Sequence, residues 1–112
     1  MRSIVLKAPI TWYVVKAVKI AEDKGGIEED DIYEIFYELD KREMSPYTFR
    51  MNIDRYASRE LTIDVGLLES AEFVGGSPLK VLPSGECMLK QYNDPEMELI
   101  LREVVQKFQN TK

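Results

Sequence analysis

The 112-residue sequence contains no histidine and a single cysteine, Cys87. Without histidine there is no Ser-His-Asp or Cys-His catalysis, no imidazole that titrates near neutral pH, and no zinc site of the Cys/His kind. One cysteine forms no disulfide within the chain, so nothing in the sequence indicates an oxidising compartment. We expect Cys87 to be a small buried apolar residue, with redox sensing as the alternative.

Long apolar runs are also missing. The longest uninterrupted runs span a few residues, whereas a membrane-spanning helix needs about 20. The first seven residues lack the apolar stretch and the small-residue cleavage site of a signal peptide. We therefore expect a cytoplasmic protein with no membrane partner. Apolar residues at 45% and charged residues at 31% are typical of a folded domain.

Signatures of catalysis and of metal binding are absent as well. Acidic residues number 20, but their spacing singles out no acid–base pair. The glycine pairs at 25–26 and 75–76 lack the flanking pattern of a phosphate-binding loop. The acidic run 28–31 lacks EF-hand spacing and suits a helix N-terminus, where the helix dipole favours negative charge. We expect no enzyme, no cofactor and no metal site.

Helical spacing of apolar residues dominates the first half of the chain. It predicts one helix over 9–24, ended by two glycines, and a second over 29–39. Ser45 followed by a proline is typical of a helix start and predicts a third helix over 46–59. Ile27, between the first two helices, is expected to be extended.

In the second half the apolar period changes. Two strands are predicted over 67–74 and 79–82, around a loop at 75–78 that contains glycine. A short helix is predicted over 84–92. A second cap-plus-proline signal, at Asp94, opens a last helix over 95–109 with a wide apolar stripe.

Several segments of this sequence carry a likeness to a known family. Residues 65–69 (VGLLE) and 73–82 (FVGGSPLKVL) look like a strand, a wing tip and a returning strand. Residues 83–86 (PSGE) look like the "L-T-x-x-G" start of the next helix, with proline in place of threonine. Residues 26–32 (GIEEDDI) look like a short strand and the entry of a second helix. Over roughly 9–92 the chain thus resembles the winged helix-turn-helix superfamily.

The resemblance implies a fold class that is mainly α with a β-hairpin, a winged helix-turn-helix with an added C-terminal helix. It suggests a winged-helix domain over 1–93 and a C-terminal helix over 94–112, as in small PadR- or MarR-like regulators. In the family the third helix commonly enters the major groove and the hairpin tip touches the DNA backbone or the minor groove. The resemblance therefore implies a sequence-specific transcriptional regulator that occupies duplex DNA.

The overall charge of −5 argues at first against nucleic acid, but this charge is unevenly distributed. Residues 28–43 hold two basic and eight acidic residues, a net −6. Residues 44–59 hold three arginines and one aspartate, a net +2. Because a DNA-binding protein needs cations where it docks, whatever its total charge, the basic segment is the expected contact.

The residues predicted to contact DNA are Lys41, Arg42, Tyr47, Thr48, Arg50, Met51, Asn52, Arg55, Arg59 and Lys80. Arginine forks onto a guanine edge or a phosphate, and asparagine pairs with adenine. The alternative is that the arginines are ordinary solvated residues, with Arg50 and Asp54 forming an ion pair. A further alternative is a winged-helix interaction module in a larger assembly, with a protein partner bound through the acidic helix 28–40.

The apolar stripe on the predicted helix 95–109 needs another apolar surface to pack against. Pairing with its copy in a second subunit would make a homodimer, and packing on the first helix of the same chain is the alternative. The residues predicted for dimerisation are Met97, Ile100, Leu101, Val104, Val105 and Phe108.

Overall fold

A computed structural model of the chain describes residues 5–52 and 55–111, and at positions 51, 52, 55 and 56 it describes the backbone. The described residues form a mainly helical α+β fold, which confirms that part of the predicted fold class. In chain order the elements are α1 (Ile10–Glu22), α2 (Glu29–Lys41), β1 (Arg50–Asn52), β2 (Arg55–Ala57), α3 (Arg59–Ser70), β3 (Val74–Gly75), β4 (Lys80–Val81), α4 (Pro83–Gln91) and α5 (Pro95–Asn110).

Helix α1 lies at the centre of the core. It is apolar on nearly all sides and buries eight of its 13 residues, among them Trp12 and Tyr13. A helix with apolar residues all round needs neighbours on several sides. Helices α3, α4 and α5 and the strand β4 pack against it. The predicted helices 9–24, 29–39 and 95–109 are confirmed.

The third helix lies elsewhere than predicted. The segment expected to be helical, 46–59, contains the antiparallel hairpin β1–β2, in which Arg50 pairs with Ala57 and Asn52 with Arg55. Helix α3 follows the hairpin and begins at Arg59. The prediction of a helix over 46–59 was therefore wrong.

Two serines explain the error. The hydroxyl of Ser45 accepts a hydrogen bond from the amide of Tyr47 and donates one to its carbonyl, both at 2.9 Å, so this serine closes a turn instead of capping a helix. Ser58 accepts from the amide of Leu61 at 3.3 Å and is the N-cap of α3. Leu61, Val65 and Leu68 then follow at helical spacing and are buried.

The predicted strand 67–74 was also largely wrong, because residues 67–70 form the last turn of α3. Strand β3 is short, Val74–Gly75, and pairs antiparallel with β4, Lys80–Val81. The predicted strand over 79–82 contains β4. The amide of Leu79 donates to the carbonyl of Ile27 at 2.8 Å, so the chain entering α2 is tied to the start of β4.

Helices α4 and α5 close the core. Within α4 the buried position is Gly85, which lies against the carbonyl of Phe73. Asp94 caps α5 by accepting from the amide of Met97 at 3.3 Å, and it accepts a second hydrogen bond from the hydroxyl of Tyr13 at 2.5 Å. This buried carboxyl fixes the start of α5 on α1.

Cys87, predicted to be buried, is exposed on α4, so that prediction was wrong. In the described part of the chain no helix is both long and apolar enough to span a bilayer. Among those same residues, no group of three or more acidic or cysteine side chains is placed to share a metal ion.

Candidate nucleic-acid interface

Lys41 and Arg42, at the C-terminus of α2, are engaged in ion pairs. Lys41 Nζ lies 3.0 Å from Glu38 Oε1, and Arg42 Nη1 lies 3.1 Å from Glu103 Oε1 on α5. Arg42 also reaches Glu38, with Nε 3.5 Å from Oε2. The hydrogen bond from Lys41 is the main cause that lowers the pKa of Glu38. Both cations are thus partly neutralised by acids of the same chain.

Tyr47 belongs to the core. Its side chain is 3% exposed and packs edge-on against Phe36, with ring centroids 5.4 Å apart. Its hydroxyl donates to Asp64 Oδ2 at 2.7 Å, which ties the turn before β1 to α3. Burial, reinforced by the neighbouring Asp64, raises the pKa of Tyr47. The prediction that Tyr47 contacts DNA was therefore wrong, because the side chain faces the interior.

The hairpin carries the largest part of the predicted set. Thr48 lies two residues before β1 and is exposed. Arg50, the first residue of β1, is also exposed and makes no ion pair with any residue that the structure describes. The side chains of Met51, Asn52 and Arg55 lie outside the described residues, so for these three the prediction rests on sequence alone.

Arg59 and Lys80 complete the predicted contacts. Arg59 is the first residue of α3, directly after its N-cap, and is exposed. The unpaired backbone amides of a helix N-terminus favour a nearby anion such as phosphate. Lys80 is exposed on β4. Neither cation pairs with an acid within the described ranges, 5–52 and 55–111.

The exposed face of α3, which the sequence analysis did not predict, is apolar and acidic, unlike the basic hairpin. Ile63 is 51% exposed and Leu67 59%, with Gly66 beside them. The helix holds one arginine against three acids, a net −2. Arg59 and Glu60 both stand in its first turn, and Asp64 and Glu69 follow without a further cation. Burial, and then the nearby carboxylate of Glu29, raises the pKa of Glu69. A duplex would therefore be repelled more strongly from the end of α3 than from its start.

The stripe predicted to dimerise is occupied within the chain. Four of its residues are buried between α5 and the helices α1 and α2, and the other two are half-buried: Met97, Leu101, Val104 and Val105, then Ile100 and Phe108. In the structure this stripe therefore packs against helices of its own chain, which was the alternative to dimerisation. A homodimer through these side chains stays an untested prediction, since they are buried or half-buried within the chain.

A comparison with protein-family models, with curated proteins and with solved structures gave no match to this chain.

Proposed function

We propose that this chain binds duplex DNA through the hairpin β1–β2 and the N-terminus of α3, and that it regulates transcription by occupying its site. The observation that carries the proposal is the position of Arg50 and Arg59. Both are exposed at the base of the hairpin, and neither has an ion-pair partner among the described residues. They belong to the segment 44–59, which carries a net +2 and directly follows the acidic segment 28–43.

A winged-helix organisation is part of this proposal, and the order of the elements is compatible with it. Helices α1, α2 and α3 precede the small sheet β3–β4, and the Leu79–Ile27 hydrogen bond joins that sheet to the segment between α1 and α2. In such an arrangement β3–β4 is the wing, and Lys80 supplies its cation. The hairpin β1–β2 is an added element between the second and third helices.

The contact mode differs from the one that the sequence suggested. A two-stranded ribbon fits the major groove as a helix does, and β-ribbon proteins use it in this way. We propose that the ribbon carries the base contacts and that Arg59 positions the phosphate backbone. The acids of α3, with Glu60 already in the first turn, keep the contact with α3 small because they repel phosphates.

Replacing Arg50 or Arg59 with alanine is expected to weaken DNA binding. A lost phosphate contact lowers the slope of log affinity against log salt by about 0.9, and a lost base contact costs about 1–3 kcal/mol. Fluorescence anisotropy with a labelled duplex at several salt concentrations measures both quantities. Lys90→Ala is the matched control, because it removes one exposed charge from α4, outside the proposed contact. Equal losses in all three variants would indicate a nonspecific charge effect and refute the proposal.

An interaction module is the second candidate, and the exposed pair Ile63 and Leu67 favours it. Two large apolar side chains on one face of α3, flanked by Glu60, form a surface that suits a protein more than a phosphate backbone. The acidic helix α2 lies beside α3, since the hydroxyls of Tyr33 and Thr62 are 2.7 Å apart. A chain that shows no affinity for DNA at low salt would favour this candidate.

A further inference from the structure

An open groove of about 820 Å³ runs along the outer side of α2. Its opposite walls come from α5, with Phe108, and from the start of α3, with Thr62. Tyr33 and Tyr37 contribute aromatic surface, and a row of carboxylates from α2 lines the same space. Small-molecule sites usually measure about 300–1,000 Å³, so the groove is of the size that holds one.

One end of the groove already contains an ammonium group. Lys41 Nζ lies 3.0 Å from Glu38 Oε1 and 5.5 Å from the centre of the Tyr37 ring. A carboxylate and an aromatic face together bind a primary amine by charge and by cation–π attraction. Lys107 Nζ, 3.8 Å from Glu38 Oε2, adds a second cation at this end.

The same pair of residue types recurs one helical turn earlier, without a cation. Tyr33-Glu34 repeats Tyr37-Glu38 four residues toward the N-terminus. The position that corresponds to Lys41 holds Tyr37 instead of a lysine. Glu34 is exposed and makes no ion pair with any residue in the described part of the chain. The bond from Tyr33 to Thr62 holds the tyrosine ring in place at the groove.

Glu34, the acid of this second pair, gains no stabilisation from the helix dipole and makes no ion pair with a described residue. The helix dipole stabilises acids in the first turn of α2, which covers Glu29 and Asp30 but leaves out Glu34 in the second turn. Asp30 and Glu34 stand four residues apart on the helix, where like charges destabilise it. Two carboxylates thus line an aromatic groove without an ion pair to any described residue, since the cations of that groove, Lys41 and Lys107, lie at Glu38.

We propose that this groove binds a linear aliphatic polyamine, with one ammonium held by Glu34, Asp30 and the ring of Tyr33. Residues four apart on α2 are separated by about 6 Å along the helix axis. The amines of a flexible methylene chain can therefore lie beside successive carboxylates of α2. The carboxylate–tyrosine pair that binds Lys41 shows the chemistry that the second pair repeats. The proposal does not depend on DNA binding, because the groove residues are distinct from Arg50 and Arg59.

Isothermal titration calorimetry of the full chain with spermidine tests this proposal. We expect one saturable site, weakened about tenfold by Glu34→Gln and several-fold by Tyr33→Leu, which removes the aromatic face and keeps the acids. Glu96→Gln is the matched control, since Glu96 is an exposed acid at the start of α5 outside the groove, and it is expected to leave the affinity unchanged. Circular dichroism confirms that each variant is folded.

Three results would overturn the polyamine site. The first is no saturable binding of spermidine to the wild-type chain. The second is an equal loss in Glu34→Gln and Glu96→Gln, or equal binding of Mg²⁺ at matched charge, because either result would show a diffuse attraction to an acidic protein. The third is binding of a lysine-rich peptide without binding of spermidine, which would assign the groove to a protein partner.

Discussion

Leu101→Ala is expected to lower the free energy of unfolding by about 2–5 kcal/mol while the mass of the particle in solution stays the same. Leu101 is fully buried on α5, where that helix packs against α1 and α2 of its own chain. Removing its side chain leaves a cavity inside one subunit. Urea denaturation measures the change in stability, and light scattering after size exclusion measures the mass.

Leu99→Ala is the control on the same helix. Leu99 is 71% exposed, so the same change of residue type is expected to alter stability by about 0.5 kcal/mol or less. If Leu101→Ala instead split a larger particle into smaller ones, the stripe on α5 would be a subunit interface. That result would support the dimer that the sequence suggested and contradict the intrachain packing described above.

Gly85→Ala is expected to destabilise the fold by about 3 kcal/mol, although alanine is the better helix former. A β-carbon at this position of α4 would collide with the carbonyl oxygen of Phe73 and would lie 2.8 Å from Val81 Cγ1. The Phe73 carbonyl is backbone and already accepts the amide of Leu82 at 2.9 Å, so it has little room to move. Thermal unfolding followed by circular dichroism measures the loss.

Gly66→Ala provides the matched comparison. Gly66 lies in α3, and a β-carbon there would meet no other atom within 4 Å. Alanine at this open helical site is expected to stabilise the chain by about 0.5–1 kcal/mol. Opposite signs for the two glycines would confirm that α4 packs directly on the segment before β3. A neutral Gly85→Ala would show that the small sheet is not held in this way.

The helices that could be predicted are those whose capping residues and apolar spacing all indicate the same bounds. Helix α2 combines an acidic first turn with Ile32, Ile35, Phe36 and Leu39 at helical spacing, and all four are buried. Helix α5 has a cap, a proline and a stripe in unbroken register. In each case one helical register places the apolar stripe on a single face of the helix.

The third helix was misplaced because two capping signals compete within 14 positions. Ser45 precedes a proline and Ser58 does not, so local rules favour the earlier serine. What decides between them is tertiary: Tyr47 must reach Phe36 on α2 and Asp64 on α3. That constraint turns the chain at Ser45 and leaves a hairpin where a helix was expected. Contacts between residues so distant in sequence are not visible in a local pattern.

The sequence predicted which segment of the candidate site is basic, but it did not predict which of its side chains are exposed. The division of charge by segment found the basic stretch that holds Arg50 and Arg59, and both prove to be exposed. The burial of Tyr47 and the ion pairs of Lys41 and Arg42 depend on neighbours from other elements. The exposed pair Ile63 and Leu67 was hidden because a strand was expected to begin at Leu67.

The central claim, that a basic hairpin on an acidic chain binds duplex DNA, is tested most directly by titrating the wild-type protein into a mixed genomic DNA pool at increasing salt. We predict measurable binding at about 50 mM salt that weakens steeply as salt rises, because a small number of phosphates are contacted and their counterions are released. Absence of binding at that low salt concentration would contradict the claim.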